Sequence, residues 1–198
     1  MEFYNTIEQT AEAEYKDRGS KFIAYTFPVT DAIEFKKKLL LLKKEHPKAA
    51  HFCFAYRIGV DGNNFRVTDD GEPAGTAGKP ILGQIDSKEV VDIAIIVVRY
   101  FGGTLLGVPG LINAYRMAAL LVLQVVPIVQ KPILIKYSIQ FDYTQMNEIM
   151  MILKQLNCVI FSQENQLFSL LKVGVPKSRN EELIYKVNNL RNVEMDKI

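Results

Sequence analysis

The chain predicts a mixed α+β fold in two parts, and three observations carry that reading. Two irregular, glycine-rich loops flank one continuous apolar strand in the first part. A connection at 124–132 (QVVPIVQKP), with two prolines, interrupts the pattern. After it a strand–helix–strand–strand–helix–strand order runs to completion in about 65 residues, the ferredoxin-like arrangement.

Taken in order, residues 22–29 (FIAYTFPV) are aromatic and β-branched and read as a strand. Asp31, with Glu34 three residues on, fits a capping box. A helix follows to about Glu45, with Pro47 beyond it as a stop. Its lysines, Lys36, Lys37, Lys38, Lys43 and Lys44, form a solvated face. A second strand covers 50–60, Asp61, Gly62, Asn63 and Asn64 make a tight turn, and 65–68 returns as the hairpin partner. Residues 90–98 (VVDIAIIVV) are a strand buried on both faces. Pro109 takes a first helical position, and an apolar helix continues to about Gln124. After the connection, 133–143 alternates as a strand, and 144–156 has helical spacing through Met146, Ile149, Met150 and Leu153. Residues 158–162 and 167–175 form a hairpin around 163–166. Ser178, with Glu181, caps a helix to Leu190, and 192–195 is a closing strand. The division places one domain at 1–130 and the other at 133–198.

Composition narrows the function. Of 198 residues, 48% are hydrophobic and 23% charged, enough for a packed core. The formal charge of +2 is evenly divided, with 16 basic against 15 acidic residues before position 132 and 8 against 7 after it. Neither half has the basic excess of a strong nucleic-acid binder, so only a local basic face remains. Cys53 and Cys158 form neither a disulfide framework nor a zinc pattern. The N-terminus lacks the basic-then-apolar order of a secretory leader. The apolar runs around 93–98 and 118–129 are too short or interrupted to span a bilayer. A reducing cytoplasm is the expected address.

The chemistry concentrates in the two loops. The first, 68–82 (TDDGEPAGTAGKPIL), reads as neither strand nor helix interior. Its Gly78–Lys79 pair is followed by Pro80, and Pro73 stands five before Gly78, so it is not a P-loop. Successive backbone N–H groups near Gly75–Gly78 can form an anion nest, with Lys79 adding charge. Asp69, Asp70 and Glu72 are close enough in sequence to share a magnesium ion, or to cap the next helix or pair with Arg66 and Arg99. The second loop, 99–110 (RYFGGTLLGVPG), starts with Arg99 beside Tyr100 and Phe101, a pairing that can clamp a nucleotide or serve the core. His51 and Cys53 share one face of a strand. A buried structural thiol beside a hydrogen-bonded histidine is favoured there over a nucleophile. No complete catalytic constellation is present.

Four segments carry a resemblance: 16–23 (KDRGSKFI), 51–56 (HFCFAY), 69–81 (DDGEPAGTAGKPI) and 98–103 (VRYFGG). Together they resemble the Impact family, in its bacterial YigZ branch, over about the first 125 residues, and the second half resembles that branch's small C-terminal domain. The resemblance implies a first domain like domain 2 of ribosomal protein S5, a sandwich also seen in domain IV of elongation factor G. It implies a ferredoxin-like second domain like domain V of that factor. It also implies a translation regulator. The eukaryotic members bind the activator of the general-control kinase and carry a further N-terminal domain that this chain lacks, so that partner is not carried over. At 107–115 (GVPGLINAY) the family usually has a second glycine after the first and an arginine where Asn113 stands. Arg116, one turn on, can serve the same face.

The expected function is therefore non-catalytic: binding of the ribosome or another structured RNA. Lys79, Arg99 and Arg116 contact phosphates, and Gly71, Gly75, Gly78, Gly102, Gly103 and Gly107 permit close approach. Asp69, Asp70, Glu72 and Thr76 complete the site. No cofactor is required. The rival readings are a magnesium- or Cys53-dependent enzyme acting on a phosphorylated small molecule or nucleotide, and a protein-docking module using the exposed sheet of the second half.

Overall fold

The computed structural model describes residues 1–165 and 168–198. The chain divides into two compact units, Tyr4–Lys131 and Met1–Phe3 with Pro132–Ile198.

The larger unit has a five-stranded antiparallel sheet between two helical layers. Its strands are β2 (Ala11–Asp17), β3 (Ser20–Pro28), β4 (His51–Ile58), β5 (Asn64–Thr68) and β6 (Ile93–Tyr100), in the order β2-β3-β6-β4-β5. β6 is the central strand, and burial on both faces follows from its alternation. Ile93, Ile95 and Val97 join the core beneath α2 (Gly78–Ser87) and α3 (Gly107–Val125). Ala94, Ile96 and Val98 join the opposite core beneath α1 (Ala32–Glu45), with Phe35 and Leu42. The Asp31 carboxylate accepts from the N–H groups of Ile33 and Glu34, and Glu34 reaches back to the N–H of Thr30, so the expected cap of α1 forms. The lysines of α1 lie toward solvent, with Lys38 over the Phe27 ring and Lys43 over Phe52.

Expectations for several individual elements are corrected. Residues 78–82 are not irregular: they open α2, and Pro80 lies in the first turn, where its missing N–H has no intrahelical partner to lose. α3 starts at Gly107, two residues before Pro109. The connection at 124–132 ends in a strand, β7 (Ile128–Pro132), which pairs with β1 (Phe3–Ile7). In the smaller unit Ser178 does not cap its helix. A 3-10 turn, Lys177–Arg179, comes first, Arg179 takes the cap position and its guanidinium pairs with Glu182.

α3 is long and apolar enough, by length and composition, to cross a bilayer. Here it is a core helix that buries Leu111, Ala114, Tyr115, Ala118, Ala119, Val122 and Leu123.

The smaller unit follows the expected order. β8 (Leu134–Phe141), β9 (Val159–Asn165), β10 (Ser169–Pro176) and β11 (Val193–Lys197) form an antiparallel sheet in the order β11-β8-β10-β9. α4 (Met146–Gln155) and α5 (Asn180–Asn188) cover one face, where Ile149, Ile152, Leu153, Leu183 and Val187 meet Ile139, Phe141, Leu171 and Val173. The β9–β10 hairpin forms, but β9 runs on through residues 163–165, which were expected in the turn, because they pair with 169–171 of β10; residues 166 and 167 of the predicted turn and returning strand lie outside the described residues.

Candidate functional site

The alternation of the sheet builds the site. Arg99 continues the row of Ile93, Ile95 and Val97 on β6, and the register sets it opposite Phe22 of β3 on one side and His51 of β4 on the other. A guanidinium thus ends an otherwise apolar row, and Arg99 is only 4% exposed. A charge taken so far from water requires a partner of opposite sign. Glu72, from the loop between β5 and α2, meets it with a side chain that is itself 4% exposed.

Glu72 Oε1 is the hub. It accepts from Arg99 Nη1 at 2.5 Å and from the Tyr115 hydroxyl of α3 at 2.7 Å. His51 Nε2 lies 3.8 Å from the same oxygen. His51 Nδ1 faces the carbonyl oxygen of Asp70 at 2.8 Å. A carbonyl only accepts, so Nδ1 is the protonated nitrogen. The Cys53 thiol lies beneath, 2.9 Å from the Asp69 carbonyl and 3.2 Å from the Tyr115 oxygen. The rest of Arg99 is held by Ser20, whose Oγ is 3.4 Å from Nη2, and by the rings of Phe22 and Phe101, centred 5.3 and 5.6 Å from its guanidinium carbon. Arg99 Nε is buried with no hydrogen-bond partner among the described residues.

The anion nest expected near Gly75–Gly78 exists, and its anion is internal. The Asp69 carboxylate accepts from the N–H groups of Gly75 at 2.8 Å, Gly78 at 2.9 Å and Ala77 at 3.0 Å. It thereby caps α2, whose own cap residue, Ala77, has no side chain for the task. Burial pushes the Asp69 carboxyl up, but the N–H groups of Gly75, Gly78 and Ala77, with Lys79, hold it below the ordinary value. Asp70 is likewise engaged, accepting from the Phe52 N–H at 2.7 Å. The three acidic side chains therefore point at three separate sets of donors. Among the described residues no group of three His, Cys, Asp or Glu is arranged to hold a metal ion. Burial, opposed by the Tyr115 hydrogen bond, raises the Cys53 thiol far above its ordinary range, so it stays protonated at neutral pH. Burial likewise raises the Tyr115 phenol.

Of the glycines expected at the site, Gly102 and Gly78 are close-approach positions. A Cβ on Gly102 would stand 1.9 Å from the carbonyl carbon of Gly19, and one on Gly78 would stand 2.8 Å from the Thr68 nitrogen. The first contact brings a third segment, the β2–β3 turn at Arg18–Gly19–Ser20, against the second loop, where Gly102 N–H donates to Ser20 Oγ at 3.2 Å. Gly71, Gly75, Gly103 and Gly107 all have positive φ. Thr76 is buried, its hydroxyl donating to the Pro73 carbonyl at 2.7 Å.

The two loops thus meet through Glu72, Arg99 and Tyr115. Lys79 and Arg116 stay at the surface, and so does Arg18. Arg116 Nη2 donates to Asn113 Oδ1 at 2.8 Å, one turn earlier on α3. Phe101 is 51% exposed. Sequence reasoning did not single out Tyr115, Ser20 or Phe22. The available signal was a tyrosine within an apolar helix, whose hydroxyl needs a partner once buried.

Known proteins bear on the same residues. The Impact N-terminal domain pattern matches residues 18–123. The chain is 38% identical to the IMPACT family member YigZ of Escherichia coli K12, over 80% of this chain and 79% of that one. It is 34% identical to the IMPACT family member YvyE of Bacillus subtilis 168, over 74% and 67%. A crystal structure described only as that of a hypothetical protein superposes with a TM-score of 0.79 at 32% identity, covering 100% of this chain and 98% of its own.

Proposed function

This chain belongs to the Impact family, and on that premise we propose that it is a cytoplasmic translation regulator that binds the ribosome or another structured RNA through the outer rim of its two glycine-rich loops. One observation carries the reading. The acidic side chains of the first loop turn inward and are satisfied there, while Lys79 and Arg116 remain outward. In a chain of nearly balanced charge, the first loop thereby presents its cation rather than its carboxylates as a local cationic surface. Lys79 and Arg116 meet phosphates, and Gly103 and Gly107 leave room for the RNA backbone. Arg99 and Glu72 hold the loops together beneath that surface. We take the first domain, 1–130, as like domain 2 of ribosomal protein S5, and the second, 133–198, as like domain V of elongation factor G. A three-layer unit followed by a βαββαβ unit supports that comparison.

Neutralised phosphates release counterions, so binding weakens steeply with salt. The test is sedimentation with purified ribosomal subunits. The expected result is co-sedimentation at low salt that is lost at moderate salt. Free protein at both salt levels would overturn the proposal.

A further inference from the structure

We infer that Phe101 is a stacking platform for an unpaired RNA base, an inference that deepens the RNA-binding reading and rests on it. The ring is half exposed, at 51%, although it stands beside a buried polar network. Its inner side lies on the Arg99 guanidinium, 5.6 Å from the ring centre, and Arg99 is fixed in turn by Glu72 and Ser20. The next residue, Gly102, is pressed against Gly19 so closely that no side chain fits. Ring and backbone are therefore held before any ligand arrives, which lowers the entropy cost of binding. An aromatic face that is presented rather than packed suits a nucleobase, and stacking accepts any base.

The charges the larger unit presents select the occupant. Arg18, exposed at the turn locked onto Gly102, and Lys79 and Arg116 are cations of the same unit at the surface, while Glu72 and Asp69 are turned inward. A polyanion with accessible bases complements that arrangement. A fully paired duplex meets the cations but offers no base to the ring. The open face of the smaller unit's sheet is a poorer match for RNA. Glu194, Gln140, Leu170 and Glu164 follow one another across it, Asp196, Ser138, Lys172 and Ser162 form the next row, and Lys136 beside Gly174 the third, so three carboxylates stand against two lysines there, although Lys136 does lie over the half-exposed Phe161 ring.

The chain contains no tryptophan, so Phe101→Trp installs a single fluorescent reporter at the platform. The experiment measures binding of a single-stranded 12-mer RNA and of a duplex of the same length, by anisotropy of labelled RNA, to the full chain and to Phe101→Ala and Phe101→Trp. The expected result is a loss of roughly 5- to 150-fold in single-strand affinity for Phe101→Ala, unchanged duplex affinity, and retained affinity with quenched indole emission for Phe101→Trp. Equal affinities for the full chain and Phe101→Ala, with indole emission of the Phe101→Trp variant unquenched by RNA, would overturn the platform and leave RNA binding standing. No binding of either RNA by the unaltered chain at low salt would overturn the platform, and the RNA reading with it where ribosomal subunits also fail to co-sediment.

Discussion

At the scale of single residues, the buried pair of Arg99 and Glu72 is the feature on which the loops converge. Sheet alternation forces Arg99 into an apolar layer, and burial then demands Glu72. Such a pair is asymmetric in its energetics. Removing one partner strands a charge away from water and costs about 3–5 kcal/mol, whereas replacing both with apolar or neutral groups of similar size is far milder. Glu72→Ala should therefore destabilise the protein by about 3–5 kcal/mol in urea unfolding, and the double variant Glu72→Gln, Arg99→Met should recover most of the loss. A double variant as unstable as the single one would show that the pair is not what holds Arg99. The Cys53 thiol belongs to the same network. Its burial and its raised proton affinity make it a packing group, consistent with the sequence preference for a structural cysteine.

At the scale of elements, α2 depends on a residue nine positions before its start. Asp69 gathers the N–H groups of Gly75, Ala77 and Gly78, so Asp69→Ala leaves three donors without their acceptor. We expect a loss of about 1–3 kcal/mol, with a smaller loss for Asp69→Asn, which keeps one oxygen. The pH dependence has a definite sign. The folded carboxyl sits below its ordinary value of 3.8, so its stabilisation is complete above that pH and is lost as pH falls through the lower folded value. The difference in melting temperature between the parent and Asp69→Ala should therefore shrink below about pH 4. A difference that stayed constant down to about pH 2 would contradict the assignment.

Much of the element pattern was legible in the sequence. The capped helix α1, the apolar run that forms most of strand β6 and the whole βαββαβ order announce themselves through period, caps and turn residues. The misses have physical causes. In β2 the half-buried positions facing the core are Ala11, Ala13 and Tyr15, and the alternation of small and charged side chains is faint. β7 follows Pro127 and ends on Pro132, and reads as a connection until its partner β1 is known. α2 opens with glycine and proline and borrows its cap from a distance, so no local signal marks its start. The convergence of the loops was predictable as a proximity. Its chemistry was not, because the hub needs Tyr115 from a helix 43 positions beyond Glu72 in the chain.

At the scale of the whole molecule, charge placement matters more than charge total. A net charge of +2 would not by itself direct a protein to RNA. What distinguishes the larger unit is that carboxylates of its first loop are internal acceptors while Arg18, Lys79 and Arg116 stay in solvent. Each cation that meets a phosphate adds about 0.7–0.9 to the steepness with which log affinity falls against log salt. The most direct measurement is thus the salt dependence of RNA affinity for the parent and for the triple variant Arg18→Ala, Lys79→Ala, Arg116→Ala. The expected slope is shallower by roughly 2 to 3 in the triple variant, with folding intact. Parallel slopes for the two proteins would contradict it.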